Sequence, residues 1–241
     1  MNNIILRSVL TGSAFIILII SLNCAREEND WLPVLRTHEV AGITSTEAIS
    51  GGHIIDDGGS EITRRGVVWG RSYNPTLEAN LGSTHDGHGL GEFTSVLSGL
   101  SPSTTYYVRA YATTVTGTSY GSSIRFSTIG LALVTTAGVT SITAVSATSG
   151  GNVQSDGGSR VTRGIVWDTS PYPTVEENTG MTNNGTGTGN FVSVMIRLFP
   201  LTTYYVRAYA SNDAGTAYGS EHQFTTGEPA ALQERIHGTG I

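Results

Sequence analysis

Few residues of this chain have the types and spacing to do chemistry. His85-Asp86-Gly87-His88 sets two imidazoles and a carboxylate in one short stretch, a donor set that could ligate a metal. A closed zinc site needs four ligands on a rigid frame, whereas this stretch is Gly-rich and reads as a solvent-exposed loop. Asp56-Asp57-Gly58-Gly59 and Ser155-Asp156-Gly157-Gly158 offer oxygens for calcium, but too few close by; Asp-Gly is the chemistry of a tight turn. Gly185–Gly189, GTGTG, lacks the following Lys and helix of a phosphate loop and reads as a hairpin tip. GTSYG at 117–121 has the letters of G-x-S-x-G but lies in turn material, and no carboxylate pair is recognisable as an acid/base couple. The single cysteine, Cys24, cannot form an internal disulfide. The expectation is therefore a protein that is no enzyme, with no catalytic residues, no metal site and no cofactor.

What remains is a surface. The nine residues TTYYVRAYA occur at 104–112 and again, unchanged, at 202–210. Side chains alternate faces along a strand, so Tyr106, Val108, Ala110 and Ala112 share one face, and Tyr107, Arg109 and Tyr111 the other. With the first set inward, the second is expected to form an outward ladder, its guanidinium between two rings. Tyr205, Arg207 and Tyr209 repeat it. Tyr and Arg are typical interface residues, and aromatic faces also stack on sugars. The same residues could equally be a self-satisfied ladder that stabilises the sheet.

These ladders need strands to carry them, and the strands come in two copies. Gly66–Asn80 answers Gly164–Asn178, and Gly117–Thr128 answers Gly215–Thr226. The loop HDGH is answered by NNGT, so its ligands are not duplicated. Each unit is a little under 100 residues, long enough to bury its own core. In the first unit, period-2 runs predict strands near 34–40, 48–54, 63–69, 93–97, 104–113 and 123–127, separated by turn material such as DDGG and TVTGTSYG. About seven short strands in that length is the pattern of an antiparallel β-sandwich. LSPSTTYYVRAYA resembles the fibronectin type III pattern, carried here by Leu100, Pro102, Thr104 and Tyr106, and in the second unit by Leu198, Pro200, Thr202 and Tyr204. The resemblance implies an all-β chain of two tandem immunoglobulin-like (fibronectin type III-like) sandwiches, at 34–129 and 130–227. It also implies that Tyr106 and Tyr204 are tyrosine-corner residues, ring in the core and hydroxyl bonded to backbone. Trp69 and Trp167 fall on the third strand, one later than is usual in that family.

Glycine is abundant, at 31, and only 13% of residues are charged, a mixture of short strands and turns. The basic residues, all Arg, number 13 against 19 acidic; they form no basic stripe, which disfavours nucleic acid as a partner. At the N-terminus, Arg7 and the apolar run Ala14–Leu22 have the form of a secretory signal, too short to span a bilayer comfortably. Cys24 directly after that run resembles the lipobox of bacterial lipoproteins, although Ser21 and Asn23 replace its usual Leu and Gly/Ala. The resemblance implies a signal peptide at 1–23, a lipid on Cys24 and stable membrane anchoring. An ordinary signal peptide with an incidental cysteine is the alternative. Residues 24–33 read as an acidic linker, in which Glu27, Glu28 and Asp30 resemble the acidic patch of surface-exported lipoproteins. Residues 228–241 read as a tail, disordered or the stub of a further domain. The expected protein is a non-enzymatic lipoprotein of the cell envelope, at the outer membrane and either periplasmic or surface-exposed. Its modules would space, adhere or bind an extracellular protein; the alternative is a carbohydrate-binding accessory protein of a polysaccharide-degrading system, with a glycan as partner.

Overall fold

A computed structural model of the chain describes residues 31–229. The expected signal peptide, Cys24 and residues 230–241 of the tail lie outside the described residues. The first unit runs β1 (Val34–Thr37), β2 (Ala48–Asp56), β3 (Arg64–Gly70), β4 (Gly82–Ser83), β5 (Gly91–Leu97), β6 (Thr105–Thr113), β7 (Thr118–Tyr120) and β8 (Ile124–Ser127). The second repeats it with β9 (Leu133–Thr136), β10 (Ser146–Ser155), β11 (Thr162–Asp168), β12 (Gly180–Met181), β13 (Gly189–Ile196), β14 (Thr203–Asn212), β15 (Gly215–Tyr218) and β16 (His222–Thr225). Among the described residues no helix is long and apolar enough to cross a membrane.

In each unit a three-stranded sheet, β1-β2-β5 or β9-β10-β13, faces a second sheet of order β4-β3-β6-β7 or β12-β11-β14-β15. All pairings are antiparallel. The last edge is split: β6 pairs with β7 through Tyr111–Thr113 and with β8 through Thr105–Val108. The chain is thus all-β, with two tandem immunoglobulin-like, fibronectin type III-like sandwiches.

Two short elements escape the period-2 reading. Strand β7 lies in TVTGTSYG, expected to be turn, because three residues flanked by glycines carry no visible alternation. Strand β4 is only two residues long. Strand β1 stops at Thr37, short of the expected 40. The reason is visible at Thr37 itself: its Oγ1 accepts from Ala110 N–H (3.0 Å) and donates to the Ser122 carbonyl (2.7 Å), tying β1 to the facing sheet. Thr136 holds Ala208 in the same way.

Each unit has its own core. Ile54, Ile62, Val67, Trp69, Phe93, Leu97, Tyr106, Val108 and Phe126 cluster in the first, and their counterparts from Val153 to Phe224 in the second. Tyr106 stacks on Phe126 (5.7 Å between centroids) and Tyr204 on Phe224 (5.8 Å). Each tryptophan on the third strand crosses to the neighbouring strand. Trp69 pairs with Gly82, and a Cβ on Gly82 would lie 2.2 Å from Trp69 Cζ2; Trp167 and Gly180 repeat this at 2.4 Å. The indole occupies the space that a side chain on β4 would fill.

Candidate functional site

The loops with candidate ligands are structural. His85 and His88 are exposed, while Asp86 turns inward to accept from Thr84 Oγ1 (2.5 Å) and Ser95 Oγ (2.6 Å). In the second unit Asn184 takes this place, accepting from Thr182 Oγ1 (2.8 Å) and Ser193 Oγ. An acceptor facing two hydroxyls is what the position requires, which both Asp and Asn supply. Asp56 and Asp57 accept from the N–H groups of Gly58 and Gly59, at 2.7 and 2.9 Å, so DDGG is a turn closed by its own carboxylates. Among the described residues no group of three or more His, Cys, Asp and Glu is arranged to hold a metal ion. GTGTG carries Gly185, Gly187 and Gly189 at positive φ; Arg163 Nη1 donates to the carbonyls of Thr188 (2.7 Å) and Gly189 (3.0 Å) while lying over Phe191. Arg65 does the same for Gly89 and Leu90 above Phe93. This arginine clamp on the loop was not foreseen from the sequence; its only signal is an Arg before the shared glycine of each copy.

The Tyr–Arg–Tyr ladder differs from expectation. Tyr107 and Arg109 lie half-buried on the outer face of the second sheet, but Tyr111 is completely buried, and Tyr209 is nearly so. The alternation is right; the exposure is not, because the segment after β4 folds over this end of the sheet. The Tyr111 hydroxyl donates to the Thr84 carbonyl (2.6 Å) and Tyr209 to Thr182 (2.7 Å), with Arg64 over the Tyr111 ring at 5.4 Å. Burial pushes both hydroxyls above the usual tyrosine range. Tyr111 and Tyr209 therefore leave the candidate binding surface.

Arg109 does not sit between Tyr107 and Tyr111 either. It lies over Tyr120 on β7, 4.7 Å from the ring centroid, with Nε donating to the Gly121 carbonyl (2.9 Å). Arg207 lies over Tyr218 at 4.6 Å and donates to Gly219 (3.1 Å). The supporting rings are fixed in turn: Tyr120 accepts from Leu77 N–H (3.0 Å) and Tyr218 from Val175 N–H (2.8 Å). Desolvation lowers the Arg109 pKa from its ordinary value.

The face that remains is built from Tyr107, Arg109 and a residue that sequence reasoning passed over. Tyr73, in the loop after β3, is 67% exposed and meets Tyr107 edge to face, with centroids 5.6 Å apart and planes at 89°. One tyrosine in a turn has no periodicity to mark it. In the second unit Tyr205 and Arg207 keep their places, and the loop after β11 presents Tyr172, 70% exposed. Each unit thus offers an exposed loop tyrosine together with a half-buried Tyr and Arg of the central strand. The arginine is held on a fixed ring, so little side-chain entropy is left to lose on binding.

Tyr106 and Tyr204 face the other way. Ser101 N–H donates to the Tyr106 hydroxyl (2.9 Å) and Phe199 N–H to that of Tyr204 (3.0 Å). Because the hydroxyl accepts here, Tyr106→Phe leaves an N–H donor unpaired, at an expected cost of about 1–3 kcal/mol. Tyr107→Phe, whose hydroxyl has no such backbone partner, should cost under about 0.5 kcal/mol. Thermal melts of the two variants test the facing, and equal effects would refute it.

Neither the family models nor the curated proteins contain a match to this chain. Among solved structures it is similar to the FN1–FN3 domains of chicken CNTN1, at 13% identity and a TM-score of 0.34, over 82% of this chain and 69% of that one.

Proposed function

We propose that this chain is a non-enzymatic, lipid-anchored protein of the cell envelope, at the outer membrane and either periplasmic or surface-exposed. Its sandwiches serve as spacer, adhesion or protein-binding units. The observation that carries this reading is the outer face: Tyr107 with Tyr73 and Arg109 in one unit, and the half-buried Tyr205 and Arg207 in the other. Aromatic rings beside a desolvated guanidinium are the chemistry of protein contact, in which Tyr and Arg contribute most. The anchor rests on Cys24 directly after an apolar run. A second reading, a carbohydrate-binding accessory role, is favoured by Tyr73, whose edge-on contact with Tyr107 leaves ring surface for a sugar to stack on.

One experiment tests both parts. In cells expressing the chain, wild type should stay in the membrane fraction, and Cys24→Ala should be released or remain uncleaved. The processed, unanchored chain, probed against glycan and extracellular-protein arrays, should lose its ligand on Tyr73→Ala/Tyr107→Ala with the fold intact by circular dichroism. A Cys24→Ala chain that is processed and membrane-bound like wild type would sink the anchor. Ligands bound equally by the double variant would sink the face, and a glycan hit would select the second reading.

A further inference from the structure

The two units are copies, so positions where they differ in polarity mark what one unit does and the other does not. The clearest such difference is at one end of the second sandwich. There Val145, Ile196, Phe199 and Leu201 stand where the first unit has Thr46, Ser98, Ser101 and Ser103. They are 53%, 60%, 69% and 60% exposed, and Ile142 and Val194 extend the surface. These residues form one continuous end: Leu198 N–H donates to the Val145 carbonyl, Gly227 N–H to Thr143, and Leu201 N–H to Gly227, while Ile196 pairs with Ser146. Side chains of this size and exposure present on the order of 600–700 Å² of apolar surface, close to the ~800 Å² per partner of a standard interface. That exceeds what scattered surface residues present, and contiguous patches of this extent mark interaction sites.

A following unit of the same kind does not call for such a patch. The same end of the first unit, where Ser103 N–H donates to the Ile129 carbonyl and the next unit begins, is built with serines. The rim is charged with both signs. Arg197 is exposed at a left-handed position (φ 60°) where the first unit has Gly99 (φ 70°), and Glu228 is exposed on the departing chain. Neither has an ion partner among the described residues. A patch that carries its own cation and its own anion is self-complementary under a two-fold axis, which sets each Arg197 against the other copy's Glu228.

We infer that this end of the second sandwich is a homodimer interface, and that its occupant is the same end of a second copy of this chain. The pairing is end to end through the second sandwich and uses no residue of the Tyr107–Arg109 face.

The test is sedimentation velocity on the chain from Ala25 onward, which keeps both sandwiches whole, across a concentration series. Wild type should be dimeric at about 10 µM, within the range expected for an interface of this size. Val145→Thr/Phe199→Ser/Leu201→Ser, which installs the residues the first unit already carries, should weaken dimerisation at least 100-fold with the fold unchanged. Arg197→Glu and Glu228→Arg should each weaken it, and the two together should restore it. A wild-type monomer at 100 µM overturns the proposal, as does a dimer indifferent to the triple variant. A chain that dimerises only after residues 230–241 are deleted overturns it as well, since its own tail would then be the occupant.

Discussion

Trp69→Ala should cost the first unit about 3–5 kcal/mol, the range for removing a buried aromatic side chain. A sandwich of this size has only about 5–15 kcal/mol in total, so the variant unit should be marginal at room temperature. The indole is 7% exposed and belongs to the main core cluster, with its ring over Gly82 on the neighbouring strand. Alanine leaves both the core volume and the space above Gly82 empty, and neither can collapse without moving a paired strand. Gly82→Ala should destabilise by the opposite route, because its Cβ would lie 2.2 Å from Trp69 Cζ2 and a core indole has nowhere to retreat. Urea denaturation followed by circular dichroism reads both, with the transition of the second unit as an internal reference. A loss below about 1 kcal/mol for Trp69→Ala would mean the indole does not fill the core.

This tryptophan shows what the sequence makes legible and what it does not. Its strand and its repetition follow from the duplicated pattern. That it lies over a glycine does not, since β4 is two residues long and no periodicity survives at that length. The same division runs through the candidate site. Alternation puts Tyr107, Arg109 and Tyr111 on one face, and the structure agrees. Whether that face is open depends on segments far away in sequence: the stretch after β4 covers Tyr111, and β7 brings Tyr120 under Arg109. Period-2 patterns report the two sides of a strand and carry no information on what packs over each side. Tyr73 and the clamp of Arg65 and Arg163 were invisible for the same reason, since their roles are set by loops. The end patch was in principle readable, because aligning the copies sets Phe199 and Leu201 against two serines; only the structure shows that these residues are exposed and share one surface.

Gly52→Ala should be a costly conservative change in the first unit. The repeated Ser-Gly-Gly lets β2 approach the facing sheet closely. A Cβ on Gly52 would lie 2.6 Å from Ala110 Cβ, 2.8 Å from the Arg36 carbonyl oxygen and 3.0 Å from Phe93 Cε1. Gly151 repeats this against Ala208 at 2.7 Å and the Thr135 carbonyl at 2.6 Å. Two of these neighbours are backbone or a methyl fixed to it, so relief requires one sheet to move away from the other. Overpacking of this kind costs about 1–3 kcal/mol and at times more, which in a unit of this size lowers the melting temperature by roughly 4–8 °C per kcal/mol. Gly70→Ala is the control: the nearest atom to its Cβ would be Pro75 Cβ at an ordinary 3.6 Å, and the melt should hardly change. Ala110→Gly in the Gly52→Ala background removes the methyl contact and should recover part of the loss, a coupling that a double-mutant cycle measures directly. The clash with the Arg36 carbonyl remains, so recovery should be incomplete. If Gly52→Ala melts with the control, the sheets are further apart than the alanines of TTYYVRAYA imply. Small residues at Ala110 and Ala208 would then need another reason than the glycines that face them.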